Sequence, residues 1–515
     1  MTSRGRVSLF RLRTRPPCGI KYAMSDLPVS LVERQGRRQV LVCERTVQSL
    51  RSPQEEACQW VSEQQAADTL FLIGDVTGVL TRAWKELYPQ STVVVLTASR
   101  SCFAELEKAG ASQLWSPSCG PLENVIEDTL YDKGPQGVKL LCWPHFERAA
   151  PDATREWVET FRKTFRFFQG SWLTRAAFGR RFGRNAVRNL LRWQTPFRLV
   201  PGDAPLIVAA SGPSLTALLP WLKRYRSRYE LWALPSSLRF LVAHGLTPDL
   251  GVATDGGWYA RELLWSVNQT PLPLLCALTS AADRIHENHP VAYFSQGEAW
   301  ELELASGFSG LLPPVPSQGT VAVSAVQLAC AATTGPVLVA GMDLAYAGGY
   351  RHASPHPVDE RLSTLSQRLN TDETRHWQNL QAQSLALPGG RTSPAMKTYA
   401  EWLDAPHRFS RPVFRLLGEP PLLHWQSMVE LPLAQAESLL LAAKGSPSLK
   451  KPFVLQGPDS FPWPDRNERR QLLRKNLARL RSLRATDSRL AQVLSFSGRQ
   501  PLFDEDELDH WEGLL

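Results

Sequence analysis

The chain has 515 residues, 43% of them hydrophobic, more than one hydrophobic core usually organises, so two or three globular domains are expected. Its eight cysteines are scattered without a C-x-x-C pair or a zinc-spaced Cys/His cluster, which excludes a disulfide scaffold and a structural zinc domain. The net charge of +9 is uneven, and no recognised DNA- or RNA-binding motif accompanies the basic clusters, so nucleic acid is not an expected partner.

Residues 1–23 carry six basic residues and no acid, broken by Pro16-Pro17, and lack the apolar run of a signal peptide. They read as a basic, disordered leader. No stretch reaches the eighteen or so uninterrupted apolar residues of a membrane span, so a cytoplasmic protein is expected. Residues 24–150 read as a small α/β domain. A short strand at Val40–Val42 leads to Ser49-x-x-x-Pro53-x-x-Glu56-Ala57 and a helix with proline in its first turn. Thr69–Ile73, Gly74-Asp75-Val-Thr-Gly78, a helix to Tyr88 and Thr92–Leu96 form a β-loop-α-β unit, with Lys139–Trp143 closing the sheet. The loop has too few glycines for a dinucleotide fingerprint, and no acidic residue ends the second strand. Residues 151–200 read as a helical connector, with Phe161, Phe165 and Phe168 on one face and nine basic residues between Thr160 and Trp193.

Over residues 201–405 short apolar runs alternate with helical patterns: Leu206–Ala210, Glu230–Leu234, Leu250–Thr254, Leu272–Ala277, Ala292–Ser295 and Val337–Gly341. Such alternation predicts a doubly wound, mostly parallel α/β sheet. Residues 406–515 read as a mainly helical region. It holds an arginine-rich amphipathic helix over Asp465–Leu494 and an acidic tail (Asp504 to Glu507, Asp509, Glu512) able to neutralise it.

Three stretches can carry chemistry. The first strand runs into Ser211-Gly212-Pro213-Ser214, a small-residue turn opening a helix. Its backbone N–H groups suit a phosphate, although a plain capped turn gives the same pattern. In the second, Asp255-Gly256-Gly257 ends a strand, and Asp255 is a candidate for a ribose or base contact, a metal ligand or a helix cap. The third joins Gly319-Thr320, at a helix start, to Gly341-x-Asp343-Leu344-x-Tyr346 and His352. Here a strand-end carboxylate, a phenol, glycines and an imidazole share one loop. His352 is a candidate general base or proton donor, or simply a hydrogen-bonding loop residue. His352 and His356 have metal-ligand spacing, but Pro355 argues against a helix and no third ligand is evident, so no metal site is assigned.

Taken together, Gly212-Pro213-Ser214-Leu215, Asp255, Gly319-Thr320-Val321 and Gly341-x-Asp343-Leu344-x-Tyr346…His352 resemble the central domain of motility-associated-factor proteins. That domain is shared with the 6-hydroxymethylpterin diphosphokinase-like family. Arg184-Asn185-x-x-x-Asn189-Leu190 and Thr392-Ser393-Pro394 resemble flanking family segments. The resemblance implies a Rossmann-like nucleotide-sugar-binding domain that transfers a nonulosonic, sialic-type acid from a CMP-sugar to Ser or Thr of flagellin. No further cofactor is implied. On that reading Ser211, Gly212, Pro213, Ser214, Asp255, Gly319, Thr320 and Tyr346 hold the nucleotide, while His352 and Asp343 are catalytic. The alternatives are a diphosphokinase-like phosphoryl transferase, with Mg2+ on Asp255 and Asp343, and a non-catalytic flagellar scaffold.

Overall fold

The computed structural model describes residues 25–34, 37–194, 196–197, 199, 201–265, 272–282, 289–308, 312–316, 319–404, 409–443, 463–486 and 505–515. The basic leader and the last residues of the expected Asp465–Leu494 helix lie outside them. The chain forms two compact units that divide at Ala177 and Phe178.

In the smaller unit, β1 (Val29–Arg34), β2 (Arg37–Val42) and β3 (Arg45–Thr46) make an antiparallel sheet. After α1 (Pro53–Ser62) come β4 (Thr69–Ile73), α2 (Val79–Leu87), β5 (Thr92–Leu96), α3 (Phe103–Lys108), β6 (Gln113–Trp115), α4 (Leu122–Lys133), β7 (Val138–Cys142) and α5 (Pro144–Ala149). The four strands are parallel in the order β6-β5-β4-β7, so the expected three-strand core gains β6. Asp75 is buried after β4 and fills the start of α2, accepting from the amides of Gly78 (2.8 Å) and Thr81 (2.8 Å) and from the Thr81 hydroxyl (2.7 Å). The Ser49…Glu56 segment also closes locally, since the Glu56 carboxylate accepts from the Ser49 amide at 2.7 Å and pairs with His145 at 2.9 Å. The expected connector is a single helix, α6 (Pro151–Arg192), with Trp157, Phe161 and Phe168 buried.

The larger unit contains β8 (Leu206–Ala209), α7 (Ser214–Arg224), β9 (Glu230–Ala233), α8 (Pro235–Ala243), β10 (Leu250–Ala253), α9 (Trp258–Trp265), β11 (Leu274–Ala277), β12 (Val291–Phe294), α10 (Ala299–Leu304), α11 (Val321–Ala332) and β13 (Val337–Ala340). There follow α12 (Pro357–Ser363), α13 (Asp372–Gln383), the hairpin β14 (Leu385–Leu387) and β15 (Gly390–Thr392), α14 (Pro394–Leu403), β16 (Val413–Leu417), β17 (Val429–Pro432), α15 (Leu433–Ala442), α16 (Arg466–Thr486) and a C-terminal α17 (Glu505–Gly513). One eight-stranded parallel sheet runs β12-β11-β10-β9-β8-β13-β16-β17. Helices cover both faces of such a sheet, which is why strands such as Leu206–Ala209 and Val337–Ala340 are apolar and buried throughout.

The sheet continues past residue 405, because β16 pairs with β13 and β17 with β16, so the expected helical C-terminal region begins by completing the central sheet. The arginine-rich helix and acidic tail meet as expected. Arg481 pairs with Asp509 (2.5 Å) and Glu512 (2.6 Å), and Arg184 holds Glu507 through two bonds at 2.7 and 2.6 Å. Among the described residues no helix is long and apolar enough to cross a membrane.

Candidate functional site

The strand order reverses between β8 and β13, the first and sixth strands of this sheet in the chain. In an open parallel sheet the loops leaving the carboxyl ends of two such strands diverge to opposite sides and leave a crevice between them, the usual place for a ligand. Here the crevice lies between the Ser211–Ser214 turn and the loop from Gly341 to His352.

The two loops are bonded together. The Ala210 amide donates to Ala340 O at 2.8 Å and the Gly212 amide to Gly341 O at 2.7 Å. Gly341 has φ +68°, and a Cβ on Gly212 would stand 2.5 Å from both Gly341 O and the Asp343 carboxylate, so this close approach needs glycine. Asp343 then accepts from the Ser214 amide at 2.7 Å and from the Ser214 hydroxyl at 2.5 Å. This amends the expectation that the turn offers free amides to a phosphate. Gly212 donates internally, Pro213 has no N–H, and the start of α7 already holds the protein's own carboxylate.

Behind Asp343 stands Arg415, buried on β16, a residue the sequence reading missed. Its guanidinium lies 3.7 Å from Asp343 and 3.9 Å from Glu430, donates to Leu423 O at 2.6 Å, and sits 4.1 Å over the Trp425 ring. Burial pulls its pKa down, while Asp343 and Glu430 push it back up. The signal available in the sequence was an arginine inside the otherwise apolar run Val413-Phe-Arg-Leu-Leu417.

Across the crevice the Ser211 hydroxyl is 3.0 Å from His352 Nδ1, and the Ala353 amide donates to Ser211 O at 2.8 Å. The His352 ring stacks on His356, with centroids 4.1 Å apart and planes 13° apart. His356 is 2% exposed, and among the described residues neither of its ring nitrogens has a hydrogen-bond partner, Asp359 Oδ2 lying 3.8 Å from Nδ1. Burial drives both imidazoles down, His352 to about 3, helped by His356 and Arg351, and His356 to about 4. Both are therefore neutral near pH 7, so His352 is not an imidazolium donor there, and burial leaves it a weak base until a nearby negative charge raises its pKa. Parallel stacked rings also do not converge their nitrogens on one ion.

Tyr346 fixes the rest of this loop. Its amide donates to Arg391 O at 2.8 Å, its hydroxyl accepts from Arg351 at 3.1 Å, and Thr392 donates to Leu344 O at 2.7 Å. Thr320 caps α11 by accepting from the Ala322 amide, and Gly319 (φ +70°) packs near Trp402. Because α11 returns antiparallel to the strands, its start lies at the same carboxyl edge of the sheet as the two loops.

Asp255 follows β10, two strands from β8 along that edge. It is exposed, its Oδ1 accepts from the Gly257 amide at 2.7 Å, and its carbonyl accepts from Ala281 at 3.0 Å. Asn185 and Asn189, one turn apart on α6, brace the loops after β10 and β11. Asn185 donates to Gly256 O (3.2 Å) and Thr279 O (2.9 Å), and Asn189 to Leu278 O (2.8 Å) and Ser280 O (2.9 Å). Arg361 on α12 reaches back to α9, pairing with Glu262 at 3.3 Å and covering Tyr259 at 4.8 Å. The structure thus joins Ser211, Gly212, Ser214, Asp343 and His352 by direct bonds, and sets Tyr346, Thr320 and Asp255 around them on one edge.

Residues 182–349, from the start of the Asn185/Asn189 brace to just before His352, match the family model described as 6-hydroxymethylpterin diphosphokinase MptE-like. A protein of Treponema pallidum (strain Nichols), described as uncharacterized, is 24% identical over 245 residues, 46% of this chain and 50% of that one. The chain thus spans about half the length of that curated relative. Among solved structures, the MAf glycosyltransferase from Magnetospirillum magneticum AMB-1 superposes with a TM-score of 0.53 and 11% identity, over 94% of this chain and 86% of that one, a likeness of fold. The class is therefore a doubly wound α/β protein built around an MptE-like domain. Within that class the central domain matches the MptE-like family model by sequence, and nearly the whole chain shares the fold of the MAf glycosyltransferase.

Proposed function

We propose that the protein is a cytoplasmic glycosyltransferase that moves a nonulosonic, sialic-type acid from its CMP conjugate to serine or threonine hydroxyls of flagellin. The observation that carries this reading is the switch-point crevice, which sets a neutral imidazole and a serine hydroxyl side by side at the carboxyl edge of the sheet. The fold likeness to the MAf glycosyltransferase supports it. In the transfer, the bond from the sugar's anomeric carbon to the phosphate oxygen breaks and CMP leaves. The acceptor oxygen bonds to that carbon and gives up its proton. His352 takes the proton. An anionic donor beside it favours the imidazolium and so raises the pKa that burial depresses. The Ser211 hydroxyl and Gly319-Thr320 flank the phosphate, Tyr346 lines the loop, and Asp255 faces the nucleoside. Asp343 serves by fixing the turn through Ser214, with Arg415 as its counter-charge. No metal or further cofactor is required by this scheme.

A diphosphokinase reading is favoured by the description of the matching family model. It needs Asp255 and Asp343 to share Mg2+, yet both Asp343 oxygens already accept bonds from Ser214. We therefore rank it second. The test is to incubate the protein with a CMP-nonulosonic acid and flagellin and to weigh the flagellin by mass spectrometry. A mass increase of whole sugar units supports transfer. No increase, together with ATP-dependent diphosphorylation of a hydroxymethylpterin, reverses the ranking.

A further inference from the structure

The bond between Ser211 and His352 can be made in two ways that differ in chemistry. The Ser211 hydroxyl lies 3.0 Å from His352 Nδ1, and either atom can donate. A neutral imidazole carries one proton, on Nδ1 or on Nε2, and the bond made at one nitrogen decides the state of the other. If the hydroxyl donates to Nδ1, the proton sits on Nε2 and the ring has no free lone pair. If Nδ1–H donates to the hydroxyl oxygen, Nε2 is bare. Only the second arrangement is a base towards a substrate.

The surroundings leave the choice to the Ser211 hydrogen. The Ser211 carbonyl already accepts from the Ala353 amide at 2.8 Å, and the stack on His356 holds the imidazole at the hydroxyl. Among the described residues Nε2 has no hydrogen-bond partner, and unlike both His356 nitrogens it is not sealed from solvent. The Ser211 hydroxyl likewise has no second partner among those residues, so the protein gives its hydrogen one acceptor, the Nδ1 lone pair. A ligand oxygen is a second acceptor, and a hydrogen bond to a charged oxygen is roughly twice as strong as one between neutral groups. This hydroxyl is open to a ligand although the neighbouring amides of Gly212 and Ser214 are spent on Gly341 O and Asp343.

We infer that Ser211 is a positioning residue that makes the base conditional on the donor: a ligand oxygen that takes the Ser211 hydrogen turns the hydroxyl into an acceptor for Nδ1–H and frees the Nε2 lone pair. In that change the ring loses the Nε2 proton to water and gains one at Nδ1, so its charge is unchanged. The hydroxyl that receives the sugar then gives its proton to Nε2, and the imidazolium keeps its Nδ1–H bond to Ser211. This rests on the proposed function and adds the control of its base.

Long-range 15N–1H correlation spectra of the full-length protein with 15N-labelled histidine test it, because they tell a protonated ring nitrogen from a bare one. The His352 signals are those lost in His352→Gln, and melting temperatures check folding and CMP binding. The parent alone is expected to carry the proton on Nε2, and with saturating CMP on Nδ1. Ser211→Ala keeps one tautomer with and without CMP, whereas Ser211→Thr, which retains the hydroxyl, switches as the parent does. A parent that binds CMP with no change of tautomer overturns the inference and leaves the proposed function standing, as does a Ser211→Ala variant that switches like the parent. A parent that binds no CMP removes both.

Discussion

The bond between Asp343 and Ser214 makes the crevice one structure, and a double-mutant cycle measures it. Asp343 accepts two bonds from Ser214, at 2.7 and 2.5 Å, and lies 3.7 Å from the buried Arg415. A hydrogen bond to a charged group contributes about 1.5–3 kcal/mol, and an anion at a helix start about 0.3–1 kcal/mol. Asp343→Ala removes both bonds and leaves Arg415 without its nearer carboxylate, so a loss of about 3–5 kcal/mol is expected. Ser214→Ala removes only the hydroxyl bond, with a loss of about 1.5 kcal/mol or somewhat more. In the double variant the serine adds almost nothing, because the bond it would make is already gone. Urea unfolding of the full-length protein, with hydrogen exchange of the β8 and β13 amides to read the larger unit, measures each loss. Losses that add within about 0.5 kcal/mol would show that the two residues are not coupled and refute the reasoning.

Three further outcomes follow from the geometry. Asn189→Ala deletes a buried amide that donates to Leu278 O and Ser280 O, so a loss of about 2 kcal/mol is expected in urea, with faster hydrogen exchange in the loop after β11 and not in α7. The stacked histidines make stability depend on pH. Both have folded pKa values below the unfolded value near 6.5, so the unfolded chain binds more protons and stability is full above about pH 6.5. It falls as the pH drops towards the folded values of about 3 and about 4, by about 2 kcal/mol for each histidine by pH 5. A flat urea midpoint from pH 7 to 5, or a His356→Phe variant with the parent's slope, would contradict this. Finally, Glu507→Ala breaks the paired bonds to Arg184 at a buried carboxylate, and limited proteolysis should then release the α17 segment while the rest of the larger unit resists.

What could be read from the sequence was what local pattern dictates. The apolar runs that became β8 to β13 are buried on both faces, and burial leaves that signature in every residue. β16 was missed because Arg415 interrupts its pattern, and that arginine is there to face Asp343 and Glu430 across neighbouring strands. The candidate residues were found by type, as small residues, carboxylates and an imidazole at strand ends, but their use was not legible. Ser214 and Asp343 are 129 residues apart in the chain, so no spacing rule shows that the carboxylate fills the helix start otherwise offered to a phosphate. Asn185 and Asn189 were legible only as a flanking resemblance. Their physical task, holding carbonyls from two loops, depends on α6 meeting the sheet. The acidic tail was readable because charge complementarity survives without knowing the fold, and Arg481 meets Asp509 and Glu512 accordingly.

The central claim is that the crevice between β8 and β13 receives a cytidine nucleotide. The most direct measurement is the melting temperature of the full-length protein with CMP, CDP, GTP and ATP, each with and without Mg2+, because a ligand that binds only the folded state raises it. The account predicts stabilisation by CMP and CDP that does not depend on the metal. Stabilisation by purine triphosphates only when Mg2+ is present would contradict it.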